Sequence, residues 1–137
     1  MIRKPMVYAL LYVSQSNLDG PGGLGAVKDM VAAARLRNAS LGVTGALIFA
    51  ESHFVQVLEG SREAVDELMR SIERDARHRD VRIVREGAVA ARRFSGWSLA
   101  YAGPPALLGT LLLPDREQDG EWADRLIATM IRFAAAA

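Results

Sequence analysis

The sequence predicts an α+β fold, and three observations carry this prediction. Segments such as 6–14 and 81–86 alternate side chains with the period of two that is typical of strands, whereas 61–74 repeats apolar residues at helical spacing. The first six segments follow the order β-α-β-β-α-β, which is the split βαβ pattern. The strands are apolar on both faces, so each face of the sheet must be covered by other parts of the chain. We therefore predict a ferredoxin-like βαββαββ sheet, with two helices on one face and a C-terminal helical pair on the other.

Composition narrows the class of protein. The chain has 137 residues, half of them hydrophobic, which suits one globular fold with a real core. We expect residues 1–102 to form the sheet domain and residues 103–137 a helical extension that packs on it. The net charge is +1, with no basic face for nucleic acid and no apolar stretch long enough for a membrane. Cysteine is absent, which fits a reducing compartment, so we expect a cytoplasmic protein.

The first strand and helix flank a glycine-rich loop. Met6–Ser14 alternates and is apolar on both faces, as in a central strand, and Gln15–Gly25 matches no phosphate-binding glycine motif. Leu24–Arg37 has one apolar stripe and is predicted to be helical. Asn38 follows at the predicted helix end. It is either a C-cap in the left-handed conformation or a ligand-binding amide, and the sequence supports both readings.

A β-hairpin is predicted next. Val43–Ala50 and Phe54–Leu58 are apolar runs that are split by the polar turn 51–53. Alternation places Gln56 on one face with Phe54 and Leu58. A primary amide among residues this apolar costs free energy unless its donors and acceptor find partners. The hairpin therefore predicts a polar partner for Gln56.

The rest of the chain completes the two layers. The expected elements are a helix that is capped by Ser61 and runs to Arg74, a polar turn Asp75–Asp80, strands Val81–Glu86 and Trp97–Tyr101, and helices Pro105–Leu113 and Glu121–Ala134. The last helix is amphipathic, so we expect the C-terminal pair to cover the open sheet face or to help build a subunit interface.

Residue sets for conventional catalysis are scarce. Neither His53 nor His78 has a second ligand at metal-binding spacing, so no metal is expected, and no Ser-His-Asp set is supported. An acylphosphatase-like hydrolase shares the topology, but the loop after the first strand lacks an arginine-bearing phosphate cradle. Tyr12, Gln56, and Trp97 with Leu99 are predicted on the helix-facing side of the sheet. Each is ordinary alone, yet together they suit a flat aromatic ligand between the helices, whose polar edge Asn38 would reach.

These segments closely resemble the BLUF family, blue-light sensors that use FAD, over residues 6–101. The resemblance rests on the order and spacing of Leu11-Tyr12-Val13-Ser14, Arg37-Asn38-Ala39 through Val43-Thr44-Gly45-Ala46-Leu47, Phe54-Val55-Gln56-Val57-Leu58-Glu59-Gly60, Arg74-Asp75-Ala76-Arg77-His78 and Arg92-Arg93-Phe94-Ser95-Gly96-Trp97-Ser98. It implies that residues 1–102 are a flavin-binding domain, with FAD as cofactor and FMN or riboflavin as alternatives.

The resemblance also implies roles for individual residues. Tyr12 looks like the photochemical donor of an electron and a proton. Gln56 looks like the switching amide, which ends in a rearranged state with a stronger hydrogen bond to the flavin carbonyl. The cofactor-binding residues would be Tyr12, Arg37, Asn38, Phe54, Gln56, Ile72, Arg77 and His78, and the signal relay would be Trp97 and Leu99. Leu99 stands where the family often has methionine. We expect photochemistry to survive this difference, with altered signalling or recovery.

The implied protein is a photoreceptor and not an enzyme. Its tail is too short for a cyclase or phosphodiesterase module, so we expect signalling by contact with an unidentified downstream protein, from a homo-oligomer. Two alternatives stay open at this point. One is a light-insensitive module that binds a flavin or another small ligand, and the other is the acylphosphatase-like hydrolase.

Overall fold

Five strands and three helices make up the described part of the chain. The computed structural model describes residues 7–18, 23–50, 52–96, 99–102 and 120–136. The elements are β1 (Val7–Ser16), α1 (Gly23–Ser40), β2 (Thr44–Ala50), β3 (His53–Gly60), α2 (Arg62–Arg74), β4 (His78–Val89), β5 (Ala100–Ala102) and α3 (Gly120–Ala136).

The sheet is built around the antiparallel pair β1 and β3. The strand order is β4-β1-β3-β2-β5, and every pairing is antiparallel except that of β5 with β2. In this register Tyr12 lies directly opposite Gln56, so their side chains share one face. Gly45 in β2 comes very close to β3, since a Cβ at this position would lie 2.0 Å from the Val57 carbonyl oxygen. A residue without a Cβ is therefore required there.

Helices cover both faces of the sheet. On one face, α2 packs over β1 and β3, and α1 packs over β2 and β3. The hydroxyl of Ser61 caps α2 by accepting a hydrogen bond from the Ala64 amide, at 3.1 Å. On the other face, α3 buries Trp122, Leu126 and Met130 against the sheet. The ferredoxin-like α+β fold is thus confirmed, with α3 on the face predicted for the C-terminal helices.

The end of α1 differs from the prediction, because the helix continues past Asn38 to Ser40. Gly42 has a φ of +67° and supplies the left-handed residue. The Gly42 amide donates to the Ala39 carbonyl at 3.3 Å, and the Val43 amide donates to the Asn38 carbonyl at 2.8 Å. These two bonds form a Schellman motif. The left-handed C-cap reading of Asn38 was therefore wrong, since the glycine takes that conformation at lower cost.

Other strand boundaries differ from the prediction, because strand pairing continues into segments that are polar in sequence. β1 continues through Ser16, and β4 begins at His78, inside the predicted polar turn, because this residue pairs with Ser16. β5 is shorter than the predicted strand and begins at Ala100. Trp97 and the predicted helix Pro105–Leu113 lie outside the described residues. The boundary between domain and extension at residue 102 stays a prediction.

Candidate functional site

A tyrosine and a glutamine are paired in the middle of the sheet. Tyr12 and Gln56 are cross-strand neighbours on the face covered by α1 and α2, and they are 1% and 6% exposed. The Tyr12 hydroxyl donates a hydrogen bond to Gln56 Oε1. Because Oε1 accepts this bond, the amide nitrogen of Gln56 still has two hydrogens to donate to another group. The pair therefore links a phenol to an amide whose donor end is directed elsewhere.

The Tyr12 hydroxyl is held in its protonated form. Burial removes water from the phenolate and raises the pKa of Tyr12 well above its ordinary value of 10.0. The positive charge of Arg37 acts in the opposite direction, and the negative charge of Asp75 adds to the effect of burial. At neutral pH the phenol keeps its proton, so it acts as a hydrogen-bond donor.

A cavity of about 210 Å³ opens between α1 and α2 at this pair. Its walls are apolar where the helices face each other and polar toward the beginning of β4. The lining residues are Tyr12, Met30, Ala33, Ala34, Arg37, Leu47, Gln56, Ile72, Asp75, Arg77 and His78. Alanines at two consecutive positions of α1 keep side-chain volume small on that wall. Apolar walls with a few convergent polar groups are typical of sites for small organic molecules.

The polar end of the cavity carries an ion pair. An Nη2 atom of Arg77 lies 2.6 Å from Oδ2 of Asp75, and the Arg77 side chain is 45% exposed. This hydrogen bond is the main reason that the pKa of Asp75 is lowered to about 2, and it raises the pKa of Arg77. The remaining donors of the exposed guanidinium suit an anionic group at the mouth of the cavity.

His78 connects the polar end of the cavity to the core. Its Nδ1 lies 2.8 Å from Ser14 Oγ, and its ring centroid lies 4.6 Å from that of Phe54. Burial lowers the pKa of His78, the Asp75 carboxylate opposes this shift, and Arg77 adds to it. The imidazole is therefore neutral at pH 7 and contributes a polar wall without a charge.

The structure brings together six of the eight predicted cofactor-binding residues. Besides the Tyr12–Gln56 pair, they are Arg37, Ile72, Arg77 and His78. Phe54 lies behind this wall, fully buried against His78 and Phe49. Asn38 is 1% exposed and lies in the last turn of α1, outside the cavity lining. Ligand binding by all eight residues stays a prediction, and Phe54 and Asn38 lie outside the cavity lining.

The two predicted relay residues have different outcomes. Leu99 is 2% exposed and packs with Val27, Met30 and Val31 of α1 and with Phe54. It is therefore on the helix-facing side, as predicted. Trp97 lies outside the described residues.

Several wall residues were not assigned to the site from the sequence. Met30, Ala33 and Ala34 share a helical spacing with Arg37, but the apolar stripe of this segment was used only to predict the helix itself. Ser14 does not line the cavity but contacts the wall residue His78, and strand alternation would have placed it on the same face as Tyr12. Among the described residues, no group of His, Asp or Glu side chains is arranged to hold a metal ion.

The fold and the cavity define a class of protein. It is an α+β domain with a cavity between two helices that suits a small molecule and that is lined by a buried tyrosine–glutamine pair. The chain belongs to the BLUF family: residues 7–100 match the family model described as "Sensors of blue-light using FAD".

Curated relatives match over the same part of the chain. The chain is 38% identical over 89 residues to the blue light- and temperature-regulated antirepressor BluF of Escherichia coli K12, which covers 65% of this chain and 22% of the relative. It is 32% identical over 90 residues to the photoactivated adenylate cyclase subunit alpha of Euglena gracilis, covering 66% of this chain and 9% of that protein. The chain thus spans less than a quarter of either relative.

Solved structures match over nearly the whole chain. The dark state of the BLUF protein BlrB is 34% identical, with a TM-score of 0.75, covering 96% of this chain and 98% of BlrB. The photo-activated state of BlsA is 26% identical, with a TM-score of 0.80, covering 92% of this chain and 95% of BlsA.

Family and site together define the function at the level of a photoreceptor. The protein is a flavin-binding sensor of blue light. The site suits a flavin, because the apolar walls fit a planar ring, the Gln56 amide has donors for its carbonyl edge, and the polar end suits a phosphorylated chain. No helix in the described ranges is long and apolar enough to span a membrane.

Proposed function

We propose that Tyr12 is the electron and proton donor of this photoreceptor and that the Gln56 amide is its switch. The observation that carries the proposal is the buried hydrogen bond from the Tyr12 hydroxyl to Gln56 Oε1, at the wall of the cavity. Flavin bound in the cavity would absorb blue light and accept an electron. Everything else in the cycle depends on the phenol and the amide of this chain.

The proposed cycle starts at the phenol. Tyr12 gives up an electron and then its hydroxyl proton, both of which a flavin held in the cavity would accept, so Gln56 Oε1 loses its hydrogen-bond donor. The amide is then free to rotate or to change tautomer. Tyr12 recovers both the electron and the proton, and no net product forms. Gln56 is left with a different arrangement of donors and acceptor around the cavity, which is a local hydrogen-bond change of the kind that can bias a two-state element.

The Tyr12 proposal is tested by the Tyr12→Phe variant with bound flavin. We expect wild-type protein to show a small, reversible red shift in its light-minus-dark spectrum, and the variant to bind flavin without this shift. Tyr8→Phe is the matched control, because Tyr8 lies in the same strand and on the same face but against Arg62, away from the cavity. A normal red shift in Tyr12→Phe would overturn the assignment.

For the cofactor, we propose FAD in preference to FMN or riboflavin. The proposal is supported by the family description, which names FAD, and the exposed guanidinium of Arg77 beside the cavity suits its phosphates. Heat release of the flavin, followed by chromatography against the three standards, distinguishes these species. Recovery of FMN or riboflavin alone would contradict the FAD proposal.

For the output, we propose signalling by contact with another protein, without a catalytic step in this domain. The BLUF match and the limited overlap with the cyclase support a sensory role for this region. The family match favours this function over a light-insensitive module and over an acylphosphatase-like hydrolase. A homo-oligomer, a downstream protein partner and a cytoplasmic location stay predictions. Light scattering in darkness and under blue light tests the first of these.

A further inference from the structure

A buried carboxylate lies close to the proposed switch, on the other face of the sheet. Glu59 is three residues after Gln56 in β3 and is 1% exposed. Strand alternation directs it to the α3 face, together with Val55 and Val57. An ionised group this deeply buried is costly unless its hydrogen bonds are satisfied, so the partners of Glu59 show what holds it.

The backbone partners of the Glu59 side chain belong to the segment that connects β4 with β5. The Arg93 amide donates to Oε2 at 2.7 Å, and the Phe94 amide donates to Oε1 at 3.0 Å. Thr44 adds a hydroxyl donor to Oε1 at 3.0 Å. Arg92 reaches the same point, where its Nη1 donates to the Glu59 carbonyl oxygen at 3.1 Å. The side chain of Glu59 thus fixes the backbone of this connection to β3.

The same connection anchors a large side chain under α3. Phe94 is fully buried, and its ring packs in the cluster that contains Trp122, Leu126 and Met130 of α3. The amide of Phe94 is therefore held by the switch strand while its ring is held by the helix on the opposite face. A displacement of β3 at Gln56 would be passed to Phe94 through these hydrogen bonds to a carboxylate, which are stronger than bonds between neutral groups.

We propose that Glu59 is a positioning residue that couples the rearrangement of Gln56 to α3, through the Phe94 amide and ring. This inference rests on the proposed switch role of Gln56. It assigns to Glu59 a function that differs from cofactor binding, since Glu59 lies outside the cavity lining. It also makes the α3 face a place where the light state differs from the dark state.

The experiment uses ¹⁹F NMR of the full chain with bound flavin and 5-fluorotryptophan. The chain has two tryptophans, so Trp97→Phe assigns the signals, and Trp122 reports on α3. In the otherwise wild-type protein we expect the Trp122 signal to shift on illumination and to return in darkness. In Glu59→Gln we expect a normal flavin red shift and loss of the Trp122 light-minus-dark shift.

Glu59→Gln is informative because an amide cannot replace both carboxylate oxygens. In either orientation its NH₂ group faces a backbone amide of Arg93 or Phe94, so one donor loses its acceptor. Thr44→Val is the matched control: it removes a hydrogen bond to Glu59 but leaves both backbone contacts, and it should keep the Trp122 shift. Phe94→Leu is a second test. It keeps the backbone donors but replaces the aromatic ring by a smaller aliphatic side chain, which should weaken the Trp122 shift.

The outcomes separate the two proposals. In one outcome, wild-type protein shows the red shift but the Trp122 signal does not change on illumination. This overturns the coupling to α3 and leaves the flavin switch intact. A normal Trp122 shift in both Glu59→Gln and Phe94→Leu also overturns it, because transmission would then not need either residue. Absence of the red shift in wild-type protein contradicts the proposed function itself. A purely structural Glu59 would move the dark-state signal but keep its light-minus-dark shift.

Discussion

The two faces of the sheet bury different chemistry. On the α3 side lies one apolar cluster of twelve buried residues, which come from the three strands β1, β2 and β3, from the connection after β4 and from α3 itself. On the other face, α1 and α2 each pack over a separate apolar cluster, and a cavity opens between them. The buried polar side chains Ser14 and Gln56 lie on this second face. The same strands therefore carry a mainly apolar core and the buried carboxylate of Glu59 on one side, and the cavity at the tyrosine–glutamine pair on the other.

This difference follows from how helices cover each face in the part of the chain that the structure describes. There, α3 packs directly against one face, whereas α1 and α2 stand side by side on the other and leave a groove where their surfaces diverge. Residues under α3 are therefore expected to determine stability, and residues between α1 and α2 to determine ligand binding. Three variants test this division, beginning with the largest expected effect.

Leu126→Ala should have the largest effect on stability. Leu126 is fully buried under α3, so its truncation removes apolar contact and leaves a cavity. We expect the free energy of unfolding to fall by about 3 kcal/mol in urea denaturation. Leu36→Ala is the control, because Leu36 is 76% exposed on α1 and its loss should change this free energy by less than about 0.5 kcal/mol. Equal losses in the two variants would contradict a filled core under α3.

Ala34→Leu should instead affect ligand binding. Ala34 lines the cavity, so a larger side chain occupies space that a flavin ring would need. We expect flavin affinity to fall at least about tenfold, which corresponds to about 1.4 kcal/mol, while the stability of the flavin-free protein stays nearly unchanged.

The control for this variant is Ala32→Leu, at an exposed position of the same helix outside the cavity lining. It should bind flavin like the wild type in a fluorescence titration. Unchanged affinity in Ala34→Leu would show that the ligand lies elsewhere.

His78 should make the cavity face sensitive to pH, with the smallest of the three effects. Its pKa is lowered by burial, so below about pH 6.5 the unfolded chain binds a proton more readily than the folded one. The free energy of unfolding should therefore decrease as the pH falls through this range toward the folded-state pKa. In His78→Gln this part of the decrease should be absent.

The measurement is urea denaturation between about pH 5 and 8, where Asp75, with its pKa of about 2, stays ionised. His53→Gln is the control for the loss of one histidine, because His53 lies outside the cavity lining. If His78→Gln kept the full pH dependence, the neutral, buried His78 would not be its source.

Local patterns were enough to predict much of this protein. Strand alternation placed Tyr12 and Gln56 on one face, since side-chain direction along a strand depends only on position. Ser61 was recognised as an N-cap because a hydroxyl at that point satisfies a free amide within one helical turn. The family motifs then implied a flavin site, and the family itself is confirmed.

Tertiary structure alone decided the remaining features. The cavity depends on how far α1 and α2 stand apart, so Ala33 and Ala34 could not be separated from ordinary core positions by their spacing. His78 entered β4 because it pairs with Ser16, which is 62 positions away in the chain. Glu59 found its partners in a connection more than thirty residues later. These contacts join distant parts of the chain, and a period of two or 3.6 residues carries no information about them.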